Sequence, residues 1–224
     1  QTTLRPLIEE FEKCSPDVVA ACDYKDIETD SRQKTVVNDN GAISRYDIPH
    51  ALSDSSLPDV FNLEFIAGRA EDYRNENDIL LSEKYARMIY GDENPIGRIM
   101  TLEMEDEPLK VVGVYRTLPE NCTIINGMLI CIGDADLTLP NYNPHVGFFR
   151  LREGASPEKV TEDFRKAYTN FITSSGQELQ DYHVEKIAGM RLTPIAGTHF
   201  LEDAMPGIKP YAEKAQTMIL LSIS

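Results

Sequence analysis

The sequence predicts an α+β fold in two lobes, one assembled from both chain ends and a second, β-rich lobe inserted into it. Three observations carry that expectation. The chain opens on a helical pattern that puts Leu4, Leu7, Ile8 and Phe11 on one face. A longer helical pattern lies towards the other end, where Val160, Phe164, Ala167, Tyr168, Phe171 and Ile172 form one apolar stripe. Between the two helices the periodicity is that of short strands.

Element by element, Pro16 to Tyr24 reads as a strand around Val18, Val19 and Ala20. Lys34 to Val37 and Ala42 to Tyr46 flank Asn38-Asp39-Asn40-Gly41. An Asn-Gly at that place is a hairpin signal, because both residues tolerate positive φ. Ile48 to Asp59 is rich in Ser, Asp and Pro and reads as a crossing between the lobes, followed by a short helix or turn through Val60, Leu63 and Phe65. Asp78 to Leu81 is a short strand of the buried type. Ser82 is then the N-cap of a helix, Glu83 complements its dipole, and Tyr85, Ala86, Met88 and Ile89 supply its inner face up to the stop at Gly91.

Asn94-Pro95-Ile96-Gly97 is a turn. Arg98 to Met104 and Pro108 to Leu118 read as strands joined by the acidic turn Glu105-Asp106-Glu107, and Gly127 to Ile132 as a further apolar strand. A Pro-rich polar loop from Asp134 to Pro144 leads to a strand at Val146 to Arg152. Ser156 caps the long helix with Pro157 at its first position, and Ser174-Ser175-Gly176 ends it. Asp181 to Ile187 reads as a last strand, and Arg191 to Pro210 as irregular chain. Thr217 to Ser224 is uncharged and mostly apolar. Too short to span a bilayer, which takes roughly 20 helical residues, it reads either as an element docked on the core or as the opening of a transmembrane helix. With no initiator Met or signal-peptide pattern at Gln1, both ends read as cuts in a longer protein.

Lys and Arg number 22 against 37 for Asp and Glu, a formal net charge of −15 over 224 residues. A chain so acidic and lacking a basic stripe is a poor match for nucleic acid or an anionic membrane surface, which need clustered Lys and Arg. His50, His145, His183 and His199 stand far apart and match no metal spacing. Ser31 to Lys34 and Ser156 to Lys159 match the S-x-x-K of acylating serine enzymes, but the partner motifs that would place a base are missing. No nucleophile elbow, P-loop or dinucleotide fingerprint occurs. Asp134, Asp136, Glu103, Glu105, Asp106 and Glu107 could be pictured around a cation, although the spacing is not that of an EF-hand. Cys14, Cys22, Cys122 and Cys131 permit two disulfides in an oxidising compartment, and are equally well explained as small buried apolar side chains. Asn121-Cys122-Thr123 matches the glycosylation sequon only formally. The expectation is a protein that is not an enzyme, with no catalytic, cofactor-binding or metal residues and no cofactor.

From Phe61 to Thr123 the order and spacing of Gly68-Arg69, Leu81-Ser82-Glu83, Ala86, Tyr90-Gly91, Asn94-Pro95-Ile96-Gly97, Val111-Val112-Gly113-Val114 and Pro119-Glu120-Asn121 form one recognisable series. The segment resembles the MacB-like periplasmic core domain of ABC-transporter permeases of the MacB, FtsX and LolC type. The resemblance implies a Porter-like βαβ lobe from residues 1–56 and 141–215, an inserted Sabre-like lobe from 57–140, and the start of a truncated transmembrane helix at 216–224. It implies a domain exposed to the periplasm from the inner membrane, carrying movement driven by an ATP-binding cassette ATPase domain or subunit to a periplasmic adaptor, lipoprotein or peptide. The helix 3–14 and the segment 209–224 would be the levers. The parent permease would be a homodimer or heterodimer, and the isolated domain a monomer. An exposed apolar patch on the inserted lobe is the first place to look for a partner surface. The alternatives are an extracytoplasmic ligand-sensing domain of a membrane signalling receptor, which would share the flanking helices, and a secreted hydrolase, which would need histidines and carboxylates to converge in one cleft.

Overall fold

In the computed structural model the described residues are 4–27, 34–37, 43–102, 107–119, 122–133, 146–174, 176, 178–195 and 218–222. The elements run α1 (Leu4–Cys14), β1 (Val18–Asp26), β2 (Lys34–Val37), β3 (Ile43–Tyr46), β4 (His50–Ser53), α2 (Leu57–Phe61), β5 (Phe65–Gly68) and a 3-10 turn at Ala70–Asp72. They continue with β6 (Asp78–Ser82), α3 (Glu83–Tyr90), β7 (Ile99–Leu102), β8 (Leu109–Tyr115), β9 (Met128–Cys131) and β10 (Val146–Leu151). The last are α4 (Pro157–Ser174), α5 (Asp181–Gly189), β11 (Arg191–Pro194) and β12 (Met218–Ser222). These divide into two units. One holds the described residues up to Tyr24 and from Val146 onward; the other holds those from Lys25 to Gly133.

In the first unit the strands follow the order β11-β12-β10-β1, all antiparallel. α1 and α4 bury their stripes on this sheet: Leu7, Ile8 and Phe11 meet Val160, Phe164, Ala167, Tyr168 and Ile172 around Phe149 and Leu151. Phe11 stacks on Phe164 with centroids 4.4 Å apart and planes 7° from parallel, and both rings tilt onto Phe149 at 6.1 and 4.8 Å. Strand alternation sends Phe148 to the opposite face of β10, where it meets Tyr24 edge-on at 5.7 Å. α4 starts as expected, with the Lys159 N–H donating to Ser156 Oγ at 3.2 Å. That bond, with the 2.8 Å bond from Ser156 Oγ to Glu158, makes this S-x-x-K match a helix cap.

Three expectations for this unit are corrected. Asp181 to Ile187 is not a strand but helix α5. The alternation of Tyr182 and Val184 mimics a strand, yet both are more than half exposed, while His183 is buried and Ile187, one turn on, packs on the core. His183 Nδ1 accepts the Gln180 N–H at 3.1 Å at the helix start. At its other end the Arg165 guanidinium donates to the carbonyls of Ile187 and Met190 at 3.0 and 2.8 Å. Arg191–Pro194 is strand β11 rather than irregular chain, and Met218–Ser222 is strand β12 rather than the opening of a helix. The reason is the same for both: β12 lies between β10 and β11, and its ladders satisfy backbone groups on both sides. Among the described residues no helix is long and apolar enough to cross a membrane.

The second unit has the strand order β4-β9-β6-β8-β7-β2-β3, with β5 also on β8. The β4–β9 and β6–β8 pairs are parallel and the other pairs printed for this unit antiparallel. β6 and β9 are buried along their whole length, which accounts for their unbroken apolar runs. The hairpin expected around Asn38 to Gly41 forms, with Lys34 opposite Tyr46 and Val37 opposite Ile43; its loop lies outside the described residues. Ile48 to Asp59 is not a crossing: it contains the buried strand β4 and the helix α2. β4 pairs with β9, so this unit begins at Lys25 rather than at the expected residue 57. In α3 the inner face is Ala86, with Tyr85, Ile89 and Tyr90 packed beside it, whereas Met88 points outward and is 48% exposed.

Phe164→Ala removes the ring shared by α1, α4 and β10 and is expected to lower unfolding free energy by about 3–5 kcal/mol. Met88→Ala, on the open side of α3, is expected to change it by less than about 0.5 kcal/mol. Urea denaturation of both variants checks the contrast.

Candidate interaction surface

Of the motif residues of the segment 61–123, Glu83, Ala86, Gly91, Pro95 and Val114 line one groove beside α3, β5 and β8. Gly68 closes β5 at φ +73°, and a side chain there would collide with the Val112 carbonyl oxygen on β8. Gly113 allows Phe65 to lie across β8, since a Cβ would stand 2.8 Å from the Phe65 ring. The Asn94-Pro95-Ile96-Gly97 turn is held by Asn94 Oδ1, which accepts the Ile96 N–H at 3.1 Å. It is docked on β8 by Gly97 N–H to Val111 O at 2.8 Å and Val111 N–H to Arg98 O at 2.9 Å.

Ser82 occupies the N-cap position of α3 in extended conformation, yet its hydroxyl makes no capping bond. The cap comes from elsewhere: Thr117 Oγ1, just beyond β8, accepts the Lys84 N–H at 3.1 Å. Only the return of the chain after β8 reveals that, and nothing local in the sequence points to it. Glu83 pairs with Arg87 at 2.9 Å and faces Arg116 at 3.9 Å, while Arg116 binds Glu64 at 2.7 Å. The hydrogen bond from Arg116 holds the Glu64 carboxyl below its usual range.

These elements enclose an open groove of about 200 Å³. Ile66, Ala67, Ala86, Pro95 and Val114 supply apolar lining, and Glu83, Arg87, Asp92 and Glu93 supply charge. With Ile66 45% exposed, the groove has an apolar lip. The charged side chains can bind and orient a ligand, but the lining lacks a Ser, Cys or His that could act as a nucleophile or be paired with a base.

The residues singled out for chemistry do not converge here. His50 lies buried in β4 and His183 buried in α5, which belong to different units; His145 and His199 lie outside the described residues. So do Ser31, Asn121, Glu103, Glu105, Asp106, Asp134 and Asp136. Glu107 accepts a long hydrogen bond from Asn77 Nδ2 at 3.5 Å. Among the described residues no group of His, Cys, Asp and Glu is arranged to hold a metal ion. All four cysteines are thiols. The Cys14 thiol donates to Phe11 O at 3.2 Å, and burial together with the negative charge of Asp163 pushes its pKa up to about 11.

The architecture is that of a mixed α+β domain of two units, one carrying both chain ends and one inserted. The profile of the MacB-like periplasmic core domain matches residues 6–167, and the chain belongs to that family. No curated protein sequence matches it. Among solved structures it is similar to a domain described as part of a permease protein from Porphyromonas gingivalis, with 25% identity, a TM-score of 0.60, and coverage of 80% of this chain and 78% of the other. The periplasmic region of MacB from Actinobacillus actinomycetemcomitans shares the fold at 13% identity and a TM-score of 0.52, over 77% and 74% of the two chains. So does the extracellular domain of the noncanonic ABC-type transporter YknZ from Gram-positive bacteria, at 15% and 0.51, over 77% and 84%.

Three outcomes test these assignments. Thr117→Ala is expected to destabilise the protein by about 1 kcal/mol while Thr117→Ser is nearly neutral, read by thermal unfolding of both. Intact mass is expected to be unchanged by reductant. At pH 8 the Cys14 thiolate fraction is roughly a thousandth, so iodoacetamide labelling at Cys14 is expected to be slow and to rise steeply towards pH 11.

Proposed function

We propose that this domain is the extracytoplasmic part of an ABC-transporter permease of the inner membrane. There it passes movement driven by an ATP-binding cassette ATPase to a protein or peptide outside the membrane. The observation that carries the reading is the family match across residues 6–167. Relatives described as parts of a permease and of an ABC-type transporter support it. The proposed partners are the ATPase, acting through the parent protein, and a periplasmic adaptor, lipoprotein or peptide.

The geometry suits force transmission. α1 and β12 attach to the same strand, β10. Ile8 of α1 lies over Gly147, where a Cβ would stand 3.4 Å from the Ile8 side chain, and Phe11 sits on Phe149. From the edge of the strand, β12 pairs Met218 through Leu221 with Arg150 through Gly147. Displacement of either element is therefore delivered to one strand through close packing or a hydrogen-bonded ladder, both of which deform little before they break. The acidic surface keeps such a domain soluble and away from anionic headgroups.

Gly147→Val in the full-length permease, reconstituted with its ATPase, wedges α1 away from β10. Basal ATP hydrolysis is expected to persist while substrate handling outside the membrane falls to background. If both activities stay at wild-type levels, the coupling role is lost. A membrane-impermeant maleimide is expected to label Met88→Cys from the periplasmic side of cells; labelling only after inner-membrane lysis would overturn the proposed location.

A further inference from the structure

Strand β5 pairs with β8 on one side, and among the described residues its other edge has no neighbouring strand. Natural proteins commonly blunt such edges with Lys or Pro. Here the strand reads Phe65-Ile66-Ala67-Gly68, and its only irregularity is a register shift between Phe65 and Ala67 at the exposed Ile66. The Glu64 carbonyl accepts the Arg116 N–H at 2.8 Å. Antiparallel alternation then turns the N–H and C=O of Phe65, opposite Tyr115, towards the open edge.

The groove lies between β5 and α3 and is lined also by Val114 of β8. A chain added alongside β5 would bring alternate side chains to the lip of the groove at the exposed Ile66. The charges of the lining are mostly committed: Glu83 is paired with Arg87, and Glu93 with Arg98 at 2.9 Å. Asp92 is exposed and has no ion-pair partner among the described residues, which leaves the groove one uncompensated negative charge. The arrangement combines main-chain groups to pair with, an apolar slot and an anion beside it.

We infer that an extended segment of a partner protein docks here as an added strand on β5. It seats an apolar side chain against Ile66 at the lip of the groove and a flanking lysine or arginine on the side of Asp92. The inference rests on the reading that the domain acts on a protein or peptide outside the membrane, and it names the surface and the chemistry of that contact. One strand and one slot make a weak site, with a Kd of roughly 0.1–1 mM.

The test uses the 224-residue chain and a blocked heptapeptide of alternating lysine and valine, compared with an alternating glutamate–valine peptide and an N-methylated lysine–valine peptide that lacks the donors. The lysine–valine peptide is expected to slow hydrogen exchange at the Phe65 amide and its neighbours, and both comparison peptides to bind far more weakly. Ile66→Glu and Asp92→Lys alter exposed positions, so their unfolding temperatures are expected to match wild type, and each is expected to weaken the peptide by about fivefold or more. The inference is overturned by protection confined to other strands, by equal affinity in both variants, or by no binding up to about 1 mM. Self-association of the chain that Ile66→Glu abolishes would also overturn it, making a second copy the occupant. Failure at this groove, with Gly147→Val still uncoupling the permease, would reject the docking site and leave the function standing. The reverse pattern would reject the function and leave the groove.

Discussion

Phe149 on β10 lies beneath two helices at once. Phe11 of α1 and Phe164 of α4 stack on each other and lean onto it, so the two helices and the sheet share one aromatic contact rather than three separate ones. Aromatic side chains carry large apolar area with few rotatable bonds, which makes such a contact stiff as well as stable. Around it, β10 is paired on one edge with β1 and on the other with β12. The unit that holds both chain ends thus depends on one strand buried on both faces and bonded on both edges.

In the second unit β8 has the corresponding place. β5, β6 and β7 all pair with it, the Asn94 to Gly97 turn hangs from Val111, and Thr117 just beyond it caps α3. So many approaches leave little room for side chains. Gly113 lies where a Cβ would press on Leu80 at 2.7 Å and on the Phe65 ring, and Gly68 faces the Val112 carbonyl. The motif residues of this segment have steric and hydrogen-bonding work in the fold, and the groove is formed where that work leaves α3 standing off β5.

The buried tyrosine in this region shows how polar groups are accommodated. Tyr115 is fully enclosed; its hydroxyl accepts the Gly127 N–H at 3.0 Å and donates to the Gly127 carbonyl at 3.2 Å, and burial pushes its pKa well above the usual tyrosine range. Gly127 in turn sits against Pro49, where no Cβ would fit. A phenol in such a place stays neutral and serves as a structural tie between β8 and the start of β9.

The sequence alone determined the elements whose signals are local. The stripes of α1 and α4 appear at helical spacing because each helix has one buried side, and Ser156 caps α4 because capping is a contact across three residues. The hairpin and the buried strands β6, β8 and β9 were legible for the same reason, and the motif series from Gly68 to Asn121 pointed to the family that the profile match establishes. Tertiary structure decided the rest. Ser82 looked like a cap, but the bond came from Thr117, 33 positions beyond the Lys84 N–H that it accepts. Asp181 to Ile187 alternated like a strand, but it is a helix, and its Ile187 carbonyl accepts from Arg165 of α4, 22 positions earlier. Met218 to Ser222 had no local preference that would separate strand from helix; two neighbouring strands supplied the hydrogen bonds. The groove was invisible for a related reason, since its lining comes from β5, α3, the following turn and β8. Interactions that close within a turn leave their mark on sequence spacing, whereas those that close over tens of residues leave none until the chain has folded.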